Sequence, residues 1–219
     1  MHMPTHRSTR GSAAAGFTLI ELLAVMLIIA ILTTALLTTG VLKAFTAAEE
    51  TQTQATLNEL SVSLGNLERD LGSFPSGDWR KFRSFANAHA TRLRGLDGKQ
   101  LDGGSEVNAG SEILYLLFES LGKSPGIDEK FLQDTDGDGY REYCDAWGNP
   151  LVYLCTLTDD AGQKTKLRSA EGDGFEEHYV RAVTKVDDDR RSRGSWQLLS
   201  AGANEIFGDD DDLQIFGKE

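Results

Sequence analysis

The sequence predicts an α+β fold in which a long N-terminal helix packs on a small antiparallel sheet. Three observations predict it. Phe17 to Leu37 is an apolar run interrupted by one carboxylate, Glu21, and no other stretch approaches it in length. Lys43 to Leu71 contains no proline, and Leu57, Leu60, Leu64, Leu67 and Leu71 recur at steps of three and four, the period of one helix face. In the last third, short apolar runs alternate with Gly, Asn, Pro and Asp clusters, which is strand-and-turn punctuation.

Composition narrows the function. The 219 residues carry a formal net charge of −12, which argues against a nucleic-acid surface and suits a solvated or cation-binding exterior. About 70 residues belong to the leader and helix, leaving one domain with room for a single core. Gly-x-Ser-x-Gly, His-Glu-x-x-His and P-loop patterns are missing, and His89 and His178 stand alone, so no enzyme is expected. Cys144 and Cys155 match neither a metal-ligand spacing nor a redox CxxC pattern and are open to a disulfide.

Taken in order, residues 1–16 are polar, basic and aperiodic, a targeting segment. As a helix, Phe17 to Leu37 would be about 30 Å long, roughly the thickness of a bilayer's hydrocarbon core. Glu21 would cost about 3 kcal/mol at mid-bilayer depth, so it calls for a partner. Arg7 and Arg10 keep the leader cytoplasmic and put the rest of the chain across the membrane, in the periplasm of a two-membrane cell. The helix is expected to continue to residue 72, its second half packed on a sheet by the leucine stripe; a coiled-coil seam is the alternative. Gly72 and Pro75 end it.

Trp79, Arg80, Lys81, Phe82, Arg83 and Phe85 form a basic, aromatic patch to which no chemistry is assigned. Ser111 to Leu121 reads as a short amphipathic helix capped by Ser111, with Glu112 favouring its first turn and Ile113, Leu114, Leu116, Leu117 and Leu121 on its buried face. Then Asp134, Asp136, Asp138 and Glu142 place oxygen ligands around a bend that Gly139 permits, as a hard cation such as Ca²⁺ requires. Asp145 stands at the twelfth position, where an EF-hand has Glu, and no helix-loop-helix pattern flanks the loop. A plain acidic turn is the competing reading.

The N-terminal stretch Gly16-Phe17-Thr18-Leu19-Ile20-Glu21-Leu22-Leu23, with its polar leader and apolar helix, resembles type IV pilins and type II secretion pseudopilins. The resemblance implies cleavage between Gly16 and Phe17 by a prepilin peptidase and methylation of the new N-terminus. It also implies pairing of Glu21 with the N-terminal amine of a neighbouring subunit. The leader has Ala13-Ala14-Ala15 where a basic residue often precedes the Gly. Cleavage would remove two arginines and bring the charge of −12 to −14.

Asp145-Ala146-Trp147-Gly148-Asn149-Pro150-Leu151-Val152-Tyr153 is similar to a stretch of the major pseudopilin. Its Gly-Asn-Pro makes a turn, Leu151 to Leu157 a strand, and Trp147 a core residue. A hairpin centred between Asn149 and Pro150 would set Cys144 opposite Cys155, and a disulfide there would stabilise by about 2–3 kcal/mol. Further strands are expected at Phe175 to Val186 and Ser195 to Leu199. The end of the chain also resembles the major pseudopilin, whose C-terminal segments form a calcium loop; by position Ser200, Asn204, Asp211 and Asp212 correspond. Asn204 stands where the family more often has Asp. A solvated acidic tail is the alternative.

The expected organisation is a leader at 1–16, a membrane and assembly helix at 17–72 and a periplasmic globular domain at 73–219. The expected function is that of a non-enzymatic subunit of a type II secretion pseudopilus, stabilised by Ca²⁺ at one or two sites. It would reside as a single-pass protein in the inner membrane before assembly. Its partners would be the prepilin peptidase, identical and related subunits, the inner-membrane assembly platform and lipid, with no nucleic acid. A pilin of an adhesion or motility filament and a membrane-anchored calcium-binding adhesin are the alternatives.

Overall fold

The computed structural model describes residues 18–38, 41–93, 95–96, 104–158, 161–169, 174–182 and 195–217. The expected cleavage residues Gly16 and Phe17 and the join between the two halves of the long helix lie outside them. The chain divides into two compact units, Met1–Phe45 and Thr46–Glu219.

In the first unit, helix α1 spans Leu19–Thr38. Thr18 and Glu21 start it as a reciprocal capping pair. The Glu21 N–H donates to Thr18 Oγ1 at 3.3 Å, while the Thr18 N–H and hydroxyl both donate to Glu21 Oε2 at 2.8 Å. Leu22, Leu23, Leu27, Ile28 and Ile31 are all exposed, on every side of the helix. The hydroxyls of Thr33 and Thr34 donate to the carbonyls of Ile29 and Ala30, four residues back, so they do not break the apolar surface. Among the described residues no helix is long and apolar enough to cross a membrane. The described side chains of α1 end at Thr34, about 22 Å from Leu19.

Helix α2, Val41–Leu71, carries the leucine stripe. Leu57, Leu60, Leu64, Leu67 and Leu71 are all buried, as their spacing predicts. The Gly72 N–H closes the helix onto Glu68 O at 2.7 Å. The stripe shares one core with helix α3 (Trp79–Ala88), helix α4 (Ala109–Ser120) and the strands, through Phe82, Ile113, Leu117, Leu151, Tyr153 and Leu198.

Among the described residues three small antiparallel sheets complete the unit. Strands β1 (Leu132–Gln133) and β2 (Glu142–Tyr143) form a hairpin base with Leu132 opposite Tyr143. Strands β3 (Val152–Leu154), β6 (Gln197–Ser200) and β7 (Leu213–Phe216) form a three-stranded sheet with β6 in the middle. Strands β4 (Gly162–Arg168) and β5 (Phe175–Arg181) pair along their full length.

Several expectations change. The aromatic, basic patch is a helix: the Asp78 side chain caps α3 by accepting from the N–H groups of Arg80 and Lys81, and Trp79, Phe82 and Ala86 face inward. Helix α4 starts earlier than expected, with Asn108 as its N-cap, and Ser111 lies within it. There the Ser111 hydroxyl accepts from the Tyr143 N–H at 2.8 Å and donates to Tyr143 O at 3.2 Å, pinning α4 to β2. Trp147 is half-buried on the turn and stands apart from the core, which is built instead around Trp79 and Trp196. Strands β1, β2, β4 and β7 were not anticipated, and the strand expected at Leu151 to Leu157 ends at Leu154, with Thr156–Thr158 in a 3-10 turn. The part of the expected 175–186 strand beyond residue 182 lies outside the described residues.

The disulfide to which the spacing was open is not formed: Cys144 and Cys155 are both buried and are not bonded to each other. The turn closes with the Asp145 N–H on Asn149 O and the Leu151 N–H on Tyr143 O, each at 2.8 Å. This sets Cys144 opposite Pro150. Cys155 follows only after β3 has crossed to pair with β6, and its Sγ faces Ser195 O at 3.6 Å.

Candidate cation site

The acidic loop is held at its base by β1 and β2 and wound around its first aspartate. Asp134 Oδ1 accepts from the Gly137 N–H at 2.8 Å and Oδ2 from the Gly139 N–H at 3.1 Å. Both glycines have positive φ, +81° and +97°, where a side chain would be strained. Asp136 Oδ1 accepts from the Asp138 N–H at 3.3 Å, and Asp138 Oδ1 from the Tyr140 N–H at 2.9 Å. Each aspartate thus orders the backbone just ahead of it.

Buried Asn108 ties the loop to the rest of the domain. Its Nδ2 donates to Thr135 Oγ1 at 2.9 Å and Glu142 Oε1 at 3.1 Å. Its Oδ1 accepts from Thr165 Oγ1 at 3.0 Å and the Lys166 N–H at 2.9 Å. Glu142 is buried and also accepts from the Thr135 N–H at 2.9 Å. Burial pushes its carboxyl up to about 7 against the opposing pull of the Thr135 and Asn108 hydrogen bonds.

Among the described residues two carboxylate triads result, Glu112–Asp136–Asp138 and Asp134–Asp136–Glu142, each with one oxygen per residue within 4.8 Å of the others. Glu112, from the first turn of α4, was missed as a candidate by the sequence reading. It is fully buried, and neither of its oxygens has a hydrogen-bond partner. Burial first, and then Asp138, Asp136 and Glu142, push its carboxyl up to about 10; the Trp79 indole, whose N–H donates to Ser105 O at 3.1 Å, opposes this slightly. Asp136 is raised as well, by burial and by Asp138. A signal was present in the sequence: Glu112 lies one turn from Leu116, on the apolar face of α4, where a carboxylate needs a reason.

The other predicted ligands go elsewhere. Asp145 is buried, its Oδ1 accepting from the N–H groups of Trp147 and Asn149 at 3.0 and 2.9 Å and its Oδ2 from Ser200 Oγ at 2.8 Å. Burial raises it to about 6 despite those bonds. Asp145 and Ser200 therefore join the turn to β6 and do not complete either loop. In the C-terminal loop Asp211 Oδ2 accepts from the Asn204 N–H at 3.1 Å and Asp212 Oδ2 from the Gly208 N–H at 2.7 Å. Asn204 Nδ2 donates to Asp209 Oδ2 at 2.6 Å. Among the described residues no carboxylate triad forms there.

Comparison with known families places one match at the other end of the chain. Residues 11–37 match the family described as the prokaryotic N-terminal methylation motif, which takes in the end of the leader, Glu21 and most of α1. A comparison with curated proteins gave no match, and neither did one with solved structures. Chains with this motif are structural subunits, processed by a prepilin peptidase and assembled with pilin subunits. The chain thus carries a prepilin-type methylation motif, which supports a type IV pilin-like subunit with a membrane-anchored N-terminal segment.

Proposed function

We propose that this protein is a non-enzymatic structural subunit of a type II secretion pseudopilus. The observation that carries the reading is the methylation motif over residues 11–37 at the start of a helix whose exposed surface is apolar all round. Such a surface is stable in lipid or against the same helix of neighbouring subunits. Before assembly α1 holds the chain in the inner membrane as a single pass with the domain from residue 73 in the periplasm. The prepilin peptidase cuts between Gly16 and Phe17, Phe17 is methylated, and the assembly platform delivers the subunit to the filament.

Glu21 then meets the Phe17 amine of a neighbour. Both local bonds to Glu21 fall on Oε2, and Oε1 is the oxygen we assign to the amine. The Asp-Ala-Trp-Gly-Asn-Pro turn and the acidic C-terminal segment favour a secretion pseudopilus over an adhesive filament. Calcium stabilises the domain through its clustered carboxylates, which offer a hard cation oxygens and no sulfur or imidazole.

Replacing Gly16 by leucine tests the processing step, because a peptidase that cuts after a small residue cannot seat a branched side chain. Co-expression of Gly16→Leu with a prepilin peptidase should leave the full-length precursor in the membrane fraction, while the wild type is shortened by the leader. Equal shortening of both chains would contradict the assignment of the cut.

A further inference from the structure

We propose that Glu112, Asp136 and Asp138 together bind one divalent cation of the Ca²⁺ class, with Glu112 the ligand on which binding depends. The proposal rests on the calcium reading above and deepens it, moving the site from a loop contiguous in sequence to one shared between that loop and α4.

The hydrogen bonds discriminate between the two triads. Both oxygens of Asp134, of Glu142 and of Asp138 already accept from backbone or side-chain donors, so the triads differ in their unpartnered oxygens: the Asp134 triad holds Asp136 Oδ2 alone, and the Glu112 triad holds that atom and both oxygens of Glu112. Asp134 and Glu142 shape the loop. Glu112 Oε1, Glu112 Oε2 and Asp136 Oδ2 are buried and have no donor. A buried carboxylate without a partner is among the costliest groups a fold can hold, and a cation satisfies it directly.

The spacing suits calcium. Ca–O bonds of about 2.3–2.6 Å let one ion bridge oxygens up to about 5 Å apart, whereas Mg²⁺ at about 2.1 Å spans less and holds its waters. One oxygen from each residue of the triad lies within 4.8 Å of the others. The backbone is also cut to fit: a Cβ on Gly104 would stand 2.4 Å from Asp138 Oδ2 and 2.7 Å from Glu112 Oε2. The Ser105 N–H holds Asp138 Oδ2 from the same side. A cation here fastens three segments that are distant in sequence: the start of α4, the strand-held loop and the chain at 104–105.

The test uses the full chain in detergent micelles, stripped with chelator and titrated with calcium chloride alone, read by calorimetry and thermal melting. Terbium luminescence provides a local readout, because Trp79 packs on Tyr140 with ring centroids 5.4 Å apart at the rim of the site and can sensitise a bound lanthanide. The wild type should bind calcium and melt higher, with magnesium doing less. Glu112→Gln keeps the shape of the side chain and removes its charge, and should weaken calcium binding about tenfold or more, since charge count sets affinity in such sites. Its melting temperature in chelator should stay near that of the wild type, and its terbium signal should be lost. Gly104→Ala removes no ligand yet crowds two of them, and should also weaken binding. Glu177→Gln, an exposed charge on β5, should leave affinity unchanged.

Wild-type affinity in both Glu112→Gln and Gly104→Ala, alongside a calcium response in the wild type, would overturn the Glu112 site and leave the broader calcium reading standing. Loss of binding in Asp212→Asn alone would do the same and move the cation to the C-terminal loop. A wild type that neither binds calcium nor shifts its melting temperature would overturn both.

Discussion

Glu21→Ala is expected to reduce assembled filaments below detection while leaving the unit from Thr46 onward folded. Within one chain the substitution removes only the reciprocal cap with Thr18, about 1 kcal/mol of helix stability. In a filament it removes the carboxylate that would neutralise a neighbour's buried N-terminal amine. Leaving such a charge unpaired at membrane depth costs about 2.5–3.5 kcal/mol per subunit, and the cost recurs at every step of the assembly. Glu21→Gln separates the two contributions. Glutamine also satisfies the capping box but carries no charge, so it should fail as alanine does. Normal filaments from Glu21→Gln would show that Glu21 matters as a helix cap and not as an ion-pair partner.

Asn108→Ala should produce the largest loss of stability of any single polar substitution in the domain, on the order of 3–5 kcal/mol by chemical denaturation. The side chain makes four hydrogen bonds, to Thr135, Glu142, Thr165 and Lys166. Alanine leaves the buried Glu142 Oε1 and the part-buried Lys166 N–H with those bonds unmade. Asn108 also sits at φ 59°, in the left-handed region, which costs alanine about 1 kcal/mol more than glycine. Asn108→Gly should therefore be milder than Asn108→Ala by about that amount. Equal losses in the two variants would mean that the backbone conformation contributes nothing. A loss below about 1 kcal/mol in both would remove Asn108 from its place as the tie between α4, β1–β2 and β4.

Regular patterns were legible in the sequence, and long-range contacts were not. The period of Leu57, Leu60, Leu64, Leu67 and Leu71 specifies the buried face of α2 because all five side chains answer to one local geometry. Asn108 and Glu112 were passed over because their roles depend on residues about 20 to 60 positions away, which no local period records. Helix α3 was hidden by its charges, since Trp79, Phe82 and Ala86 are its buried residues and only Phe85 packs beside them, half-buried. Asp145 and Ser200 stand apart from the carboxylate triads for the opposite reason. Their oxygens are of the right type, but they bond to each other and to a turn, and composition cannot distinguish a capped carboxylate from an open one. The same limit applies to Cys144 and Cys155, since a symmetric hairpin would pair them and the crossing of β3 to β6 separates them.

The most direct measurement is the mass and N-terminal sequence of the mature chain isolated from membranes of cells that express a prepilin peptidase. A chain beginning at Phe17, with the mass of one added methyl group on its amine, is the predicted result. A mature chain that still begins at Met1, or one that begins beyond residue 35 and has lost α1, would contradict the pilin-like account at its root.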